Sequence, residues 1–273
     1  MSELITVALT EGVADVRLNR PDKHNALTLE MFAAIVDAGA ALAANTTVRA
    51  VVLSGNGPSF CAGLDLSIMR AMLAGPAEAQ AVMRTLLQRD GGPDNLAQRA
   101  AYIWKTLPIP VIAALHGVAF GGGCQIALAA DLRIAAPDTR MAVMEITYGL
   151  IPDMALTQTL PDLLPIDVAK ELAFSGRMVA AEEALKLGLI TRIAGDPRAA
   201  ALELARAIAT KSPHAVRASK ALLDSAWRAD ARRGLALEEE LQRTLLGSPN
   251  QMEAVNASLA KRLPTFADPT MED

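Results

Sequence analysis

Aromatic residues are scarce in this chain. Two Trp, two Tyr and five Phe make up 3% of its 273 residues, too few for a surface that stacks nucleic-acid bases. Only two cysteines occur, Cys61 and Cys124, which leaves no disulfide scaffold and no cysteine-based zinc site and fits a reducing, cytoplasmic setting. The three histidines include no pair at ligand spacing, so no metal is expected. Charge is balanced: 26 Lys and Arg against 30 Asp and Glu give a net charge of −4, hence no basic field for a nucleic-acid backbone. Residues 1–6 lack a basic cap followed by a long apolar stretch, and no export signal is expected. No formal charge stands between Lys105 and Asp131, yet Pro108, Pro110, His116, Gln125 and glycines 121–123 break that run. It reads as strand, loop and buried helix rather than a span of about 20 apolar residues, so no membrane association is expected.

What the chain does have is core material. Apolar residues make up 52% and charged residues 21%, which excludes general disorder. At roughly 150 residues per domain, the length allows one large domain or one domain plus an appendage. Alternating Ile5, Val7, Leu9 and Ala14, Val16, Leu18 around Glu11-Gly12 predict a β-hairpin. Thr28 is the expected N-cap of a helix carrying Met31, Phe32, Ile35 and Val36. Strands are expected over 48–53, 111–115, 132–135 and 191–193, and helices over 66–89, up to about 106, and over 122–130. Beyond Pro152 the composition turns Ala- and Leu-rich and mostly helical. The pattern is α/β, with a core over 1–200 and a helical region over 201–273.

Two stretches bring main-chain groups close to something. In Ser59-Phe60-Cys61-Ala62-Gly63-Leu64-Asp65-Leu66 a loop of small residues enters a helix. In Val118-Ala119-Phe120-Gly121-Gly122-Gly123-Cys124-Gln125 a strand runs through three glycines into another helix and leaves N–H groups exposed at its positive end. The spacing is neither that of a phosphate-binding loop nor that of the dinucleotide fingerprint. A pair of such N–H groups can hold the oxyanion that develops on a carbonyl, one donor being worth roughly 10²–10³ in rate. Glu145, in the apolar setting Met141-Ala142-Val143-Met144-Glu145-Ile146, is a candidate base, because burying an ionised acid is costly unless it is used or partnered.

Leu18-Asn19-Arg20-Pro21-Asp22-Lys23-His24-Asn25-Ala26-Leu27, the 60–66 stretch, His116-Gly117-x-Ala119-x-Gly121-Gly122-Gly123 and Gly149-Leu150-Ile151-Pro152 follow one another in order. Together they resemble the crotonase family, the enoyl-CoA hydratases and isomerases, along essentially the whole chain. The resemblance implies a spiral of repeated β-β-α units with a C-terminal helical region that packs across subunits in trimers or paired trimers. It implies an acyl-CoA thioester as substrate, with coenzyme A part of that substrate and no separate cofactor. The enolate would lie between the N–H groups of Leu64 and Gly122. Lys23, His24, Ala26, Ala62, Asp65, Leu66 and Gly121 would line the path of the coenzyme.

Family hydratases grip water between two glutamates. The second falls on Glu145 and the first on Gln125, whose amide has no acid-base state near neutral pH. Hydration must take a proton from water and deliver one to carbon, whereas double-bond isomerisation needs only one carboxylate. Asp153 resembles an aspartate of the family's dienoyl-CoA isomerases, and it also reads as a helix N-cap. The catalytic set is therefore Glu145, Asp153 and Gln125, with isomerisation favoured. A hydratase in which Gln125 positions water, and an acyl-CoA-binding protein with little activity, are the alternatives. Leu66, Met69, Met72, Met83 and Trp104 read equally as acyl-tunnel and as core residues.

Overall fold

The opening alternation closes into a hairpin. Strands β1 (Ile5–Thr10) and β2 (Val13–Leu18) pair antiparallel with Thr10 opposite Val13. Glu11 and Gly12 turn the chain with φ of 51° and 77°, the left-handed pair that matches strand twist in a two-residue turn. The computed structural model describes residues 3–270. Its other strands are β3 (Ala50–Gly55), β4 (Val111–Leu115), β5 (Val118–Phe120), β6 (Leu132–Ala135), β7 (Arg140–Ala142), β8 (Val179–Ala180) and β9 (Arg192–Ile193). The helices are α1 (Leu29–Ala43), α2 (Leu66–Ala74), α3 (Pro76–Leu86), α4 (Leu96–Thr106), α5 (Gly122–Leu128), α6 (Leu156–Thr159), α7 (Ile166–Ser175) and α8 (Ala181–Leu187). Four more close the chain: α9 (Pro197–Ala209), α10 (Pro213–Ala226), α11 (Ala231–Leu245) and α12 (Pro249–Leu259).

Six strands form the main sheet in the order β1-β2-β3-β4-β6-β9, parallel from β2 onward. Three short ones form a second sheet, β5-β7-β8. In β4-β5-α5, and again in β6-β7 with the helical turns after it, the first strand joins the large sheet and the second the small one. This is the expected β-β-α repetition. The central strands β3 and β4 are covered on both faces and are apolar along most of their length. Val51, Leu53, Val111, Ala113 and Leu115 face one core with α1, α4 and α5. Ala50, Val52, Ile112 and Ala114 face the other, against Ala201, Ala205 and Ala209 of α9. Successive residues alternate between the two cores, as a strand requires.

Several expectations shift. Thr28 does cap α1, accepting from the Met31 N–H at 3.2 Å. The helix expected over 66–89 is instead two, α2 and α3, interrupted at Gly75-Pro76, because proline disfavours helical backbone in the residue before it and has no N–H to donate. Strand β3 reaches Gly55, since Ser54 and Gly55 pair with Arg17 and Leu18. The N-cap reading of Asp153 is wrong: α6 begins after Ala155, whose backbone is left-handed, and no side chain caps it. A boundary at residue 200 falls inside α9, whose alanines belong to the sheet's own packing.

Asn25 ties the site's underside together. It is fully buried with a φ of 55°. Its oxygen accepts from the Arg20 N–H at 2.8 Å, and its amide donates to the carbonyls of Asn56, Ser59 and Phe60 at 2.8–3.1 Å. Asn25→Ala strands these buried groups and is expected to lower stability by at least about 2 kcal/mol. Urea unfolding with an unchanged midpoint would contradict that role.

Candidate active site

Two segments far apart in sequence run beside each other here. Cys61 bridges Ala119 in parallel, its N–H donating to the Val118 carbonyl and its carbonyl accepting from the Phe120 N–H, both at 3.0 Å. On the other side, Ala62 N–H donates to His24 O at 2.9 Å, Leu27 N–H to Gly63 O at 2.7 Å and Asp65 N–H to Leu27 O at 2.9 Å. The 24–27, 61–65 and 118–122 segments therefore form one layered unit in which most main-chain groups are paired. The N–H groups of Leu64 and Gly122 are not: neither has a protein acceptor among the described residues.

Close approach explains the glycine at 63. Its φ is +87°, and a Cβ there would stand 2.6 Å from the Phe120 carbonyl oxygen and 3.6 Å from the Gly122 nitrogen. Residues 63–64 and 122 are thus immediate neighbours. Gly122 opens α5, in which every residue is buried, and Met154 Sδ and Leu27 Cδ1 lie where a side chain at 122 would go. Gly121 turns the chain with φ +50°, and a Cβ there would lie 3.4 Å from Glu145 Oε1. The carboxylate of Glu145 is consequently placed beside the start of α5.

Gln125, only 1% exposed, sits one turn into α5. Its Oε1 accepts from the Met154 N–H at 2.8 Å, and its Nε2 donates to Glu145 Oε1 at 2.5 Å. Glu145 starts a short helical turn, Glu145–Tyr148, after β7 and is half-buried. Its second oxygen, Oε2, is buried with no hydrogen-bond partner. Burial raises the pKa of Glu145, the hydrogen bonds from its own backbone and from Gln125 oppose this, and the like charge of Asp153 adds to the rise. Asp153 keeps an exposed face, and the protein around it raises its pKa as well. The structure therefore gathers Gln125, Glu145 and Asp153 at one place.

The other predicted residues divide. Lys23 and His24 are exposed, and Ala26 and Ala62 are half-buried along the rim. His24 Nδ1 lies 3.0 Å from the Ser59 hydroxyl. Leu66 is exposed at the start of α2. Asp65 is engaged: it pairs with Arg20 at 2.5 Å and caps α2 by accepting from the Ser67 N–H at 2.8 Å. Against the upward push of burial, the bonds from Ser67 and Arg20 hold its pKa at about 2. Of the tunnel candidates, Trp104 is a core residue, while Met83 is exposed on α3.

Two thiols, Cys61 and Cys124, lie in the same segments. Both are buried, and burial pushes Cys61 up to about 12 and Cys124 up as well. Met154, Leu27 and Asn25 were not singled out from sequence, since a main-chain donor and an aliphatic neighbour carry no chemical signature. A cavity of about 1100 Å³, among α4, α10, α11 and α12, contains none of these residues. Two cations on its wall are already matched, Lys105 by Asp162 and Asp224, and Lys220 by Asp131. Among the described residues no group of His, Cys, Asp or Glu could hold a metal ion, and no helix is long and apolar enough to cross a membrane.

Comparison with known proteins agrees with this geometry. The family model described as enoyl-CoA hydratase/isomerase matches residues 8–269. The mitochondrial enoyl-CoA hydratase domain-containing protein 2 of Bos taurus is 35% identical over 263 residues, covering 94% of this chain and 84% of that one. The 1,2-epoxyphenylacetyl-CoA isomerase of Escherichia coli is 34% identical over 268 residues, covering 97% and 99%. A crystal structure of enoyl-CoA hydratase from Bacillus anthracis superposes with a TM-score of 0.86 at 30% identity, covering 96% of this chain and 98% of that one. With its β-β-α spiral and its motifs in register, this chain is a crotonase-fold enzyme and belongs to the enoyl-CoA hydratase/isomerase family.

Proposed function

We propose that the protein shifts a double bond along the acyl chain of an enoyl-CoA thioester, with Glu145 as the single acid-base group. The observation that carries this reading is the neutral Gln125 amide 2.5 Å from Glu145, where hydration would need a second carboxylate. The thioester oxygen accepts from the N–H groups of Leu64 and Gly122, which acidifies the neighbouring carbon–hydrogen bond. Glu145 takes that proton and returns it at the far end of the conjugated enolate. General acid-base help of this kind contributes roughly 10²–10⁴. Asp153, beside Glu145, would extend proton transfer over a longer dienoyl system. Lys23, His24, Ala26, Ala62, Leu66 and Gly121 line the coenzyme's path in this reading, and Asp65 holds that rim through Arg20. No separate cofactor takes part.

The assembly we propose is a trimer or a dimer of trimers. Its support is the apolar surface left bare by one chain, including Ile151, Phe174 and Trp227, each more than 70% exposed. Helix α11 buries none of its own residues, so α10 to α12 have a face suited to another copy. Two free, buried thiols favour a reducing compartment such as the cytoplasm.

Five measurements test these readings. The purified protein should convert a 3-enoyl or 3,5-dienoyl thioester faster than it hydrates a 2-enoyl thioester; dominant hydration would reject the isomerase. Glu145→Gln should lower turnover by roughly 10²–10⁴ while acyl-CoA binding persists; binding without turnover in the wild type as well would favour a carrier. Since only the ionised base accepts a proton, the wild-type rate should fall with decreasing pH through a midpoint above the ordinary glutamate value of 4.5. Gly63→Ala, strained by its positive φ and by the Phe120 carbonyl, should displace the Leu64 N–H and cost roughly 10²–10³ in rate. Wild-type turnover in that variant would remove Leu64 from the mechanism. Light scattering should give a trimer or hexamer of the 28.7 kDa chain, and a monomer would refute the assembly.

A further inference from the structure

One amide supports two carboxylates. Gln125 Nε2 donates to Glu145 Oε1 at 2.5 Å, and Gln125 Oε1 accepts from the Met154 N–H at 2.8 Å. That N–H belongs to the planar peptide group joining Asp153 to Met154, so the side chain that holds Glu145 also fixes the plane from which Asp153 projects. The amide cannot turn over, because a main-chain N–H can meet only its oxygen. Gln125 itself is held still, 1% exposed on a helix whose residues are all buried.

The main chain of the Asp153 loop has little else to hold it. Residues 150–155 form neither helix nor strand, and left-handed backbone at Gly149, φ 70°, and Ala155, φ 61°, bounds the loop. Among the described residues, the Met154 N–H is the only main-chain donor from 151 to 155 with a partner outside that loop. The Met154 side chain packs beneath Gly122. That contact anchors residue 154, whereas the hydrogen bond orients the peptide group before it. Asp153 stands close enough for its charge to act on Glu145.

Spacing between the two carboxylates matters because substrates differ in how far the proton travels. A 3-enoyl thioester loses a proton at C2 and regains one at C4, both within reach of one carboxylate. A 3,5-dienoyl thioester loses it at C2 and regains it at C6, at the far end of the conjugated chain. We propose that Gln125 is a positioning residue that sets the spacing of Glu145 and Asp153 and so favours a 3,5-dienoyl thioester over a 3-enoyl one. The proposal rests on the reading of these two carboxylates as proton-transfer groups and adds what holds them in register. The C2–H bond breaks, its electron pair enters the extended enolate, and the proton moves to Glu145 Oε1, which has a lone pair that Gln125 does not use. Protonated Asp153 gives its proton to C6, leaving double bonds at C2 and C4. Asp153 then regains a proton from water at its exposed face while Glu145 releases one, and the pair is restored.

The test compares kcat on a 3,5-dienoyl and a 3-enoyl thioester in the wild type, Gln125→Leu, Asp153→Asn and the double variant. The wild type should favour the dienoyl thioester. Gln125→Leu keeps a similar volume without either hydrogen bond, and its dienoyl-to-enoyl kcat ratio should fall about 10- to 100-fold with KM little changed. General loosening of the site would instead lower both rates together and leave the ratio alone. Asp153→Asn should lower the same ratio, and adding Gln125→Leu should lower it no further, because Gln125 acts through Asp153. A wild type that favours the 3-enoyl thioester, a ratio unchanged in Gln125→Leu, or additive losses in the double variant would overturn the proposal. Hydrogen exchange of the wild type needs no variant to fold: the Met154 amide should exchange at least about tenfold more slowly than that of Ile151, and equal rates would also overturn it. Failure of the base assignment is separately visible, because Glu145→Gln would then retain turnover on both thioesters.

Discussion

Everything at the site depends on how closely the 60–64 segment lies against the chain entering α5. The parallel bridge between Cys61 and Ala119 sets that spacing, and only hydrogen at residue 63 allows it, since a methyl group would meet the Phe120 carbonyl at 2.6 Å. The same closeness that pairs most main-chain groups leaves two N–H groups over, at Leu64 and Gly122. Buried main-chain donors are rarely left without a partner. In the proposed function these two receive the thioester oxygen, and backbone donors suit that task because they cannot swing away.

Helix α5 joins this cradle to Glu145, the proposed base. All seven of its residues are buried, so packing fixes it on every side. Just beyond its far end, Arg133 is buried and donates to the Ala130 and Leu189 carbonyls at 2.5 and 2.7 Å. Burial pushes that guanidinium down to about 10, which still leaves it charged at neutral pH, and a cation near a helix C-terminus is favourable. Movement of α5 would disturb both ends together. The N–H of Gly122 and the amide of Gln125 are thus positioned by the same rigid body.

Much of this was legible in the sequence, and the rest was hidden for physical reasons. The hairpin, the Thr28 cap and the strands of the main sheet follow from period-2 and period-3.6 patterns that a strand or helix imposes locally. Of the small sheet only β5 was anticipated, as the strand that enters the glycines; β7 and β8 are three and two residues long, too short to show a period. Gly75-Pro76 did carry a helix-breaking signal that the long apolar run around it concealed. Asp153 looked like a cap because Asp often is one, but the left-handed Ala155 starts α6 later and leaves the carboxylate among the site residues. The two glycine loops and Glu145 stood out because their chemistry is unusual in an apolar setting. Met154 and Asn25 did not, because their contributions exist only once distant segments meet.

The neutral residue at 125 also follows from the electrostatics of its neighbours. Glu145 and Asp153 already sit where protein replaces water, and each raises the cost of ionising the other or is raised by its surroundings. A third carboxylate, fully buried on α5, would have to be protonated or would drive Glu145 toward its protonated form. An amide avoids this. It fills the same volume, satisfies the Met154 donor with its oxygen, and offers Glu145 a donor rather than a competing charge. The result leaves a donor against Glu145 rather than a second proton-exchanging group. Chemistry that moves a single proton between two carbons asks for that arrangement, and chemistry that must also split water asks for more.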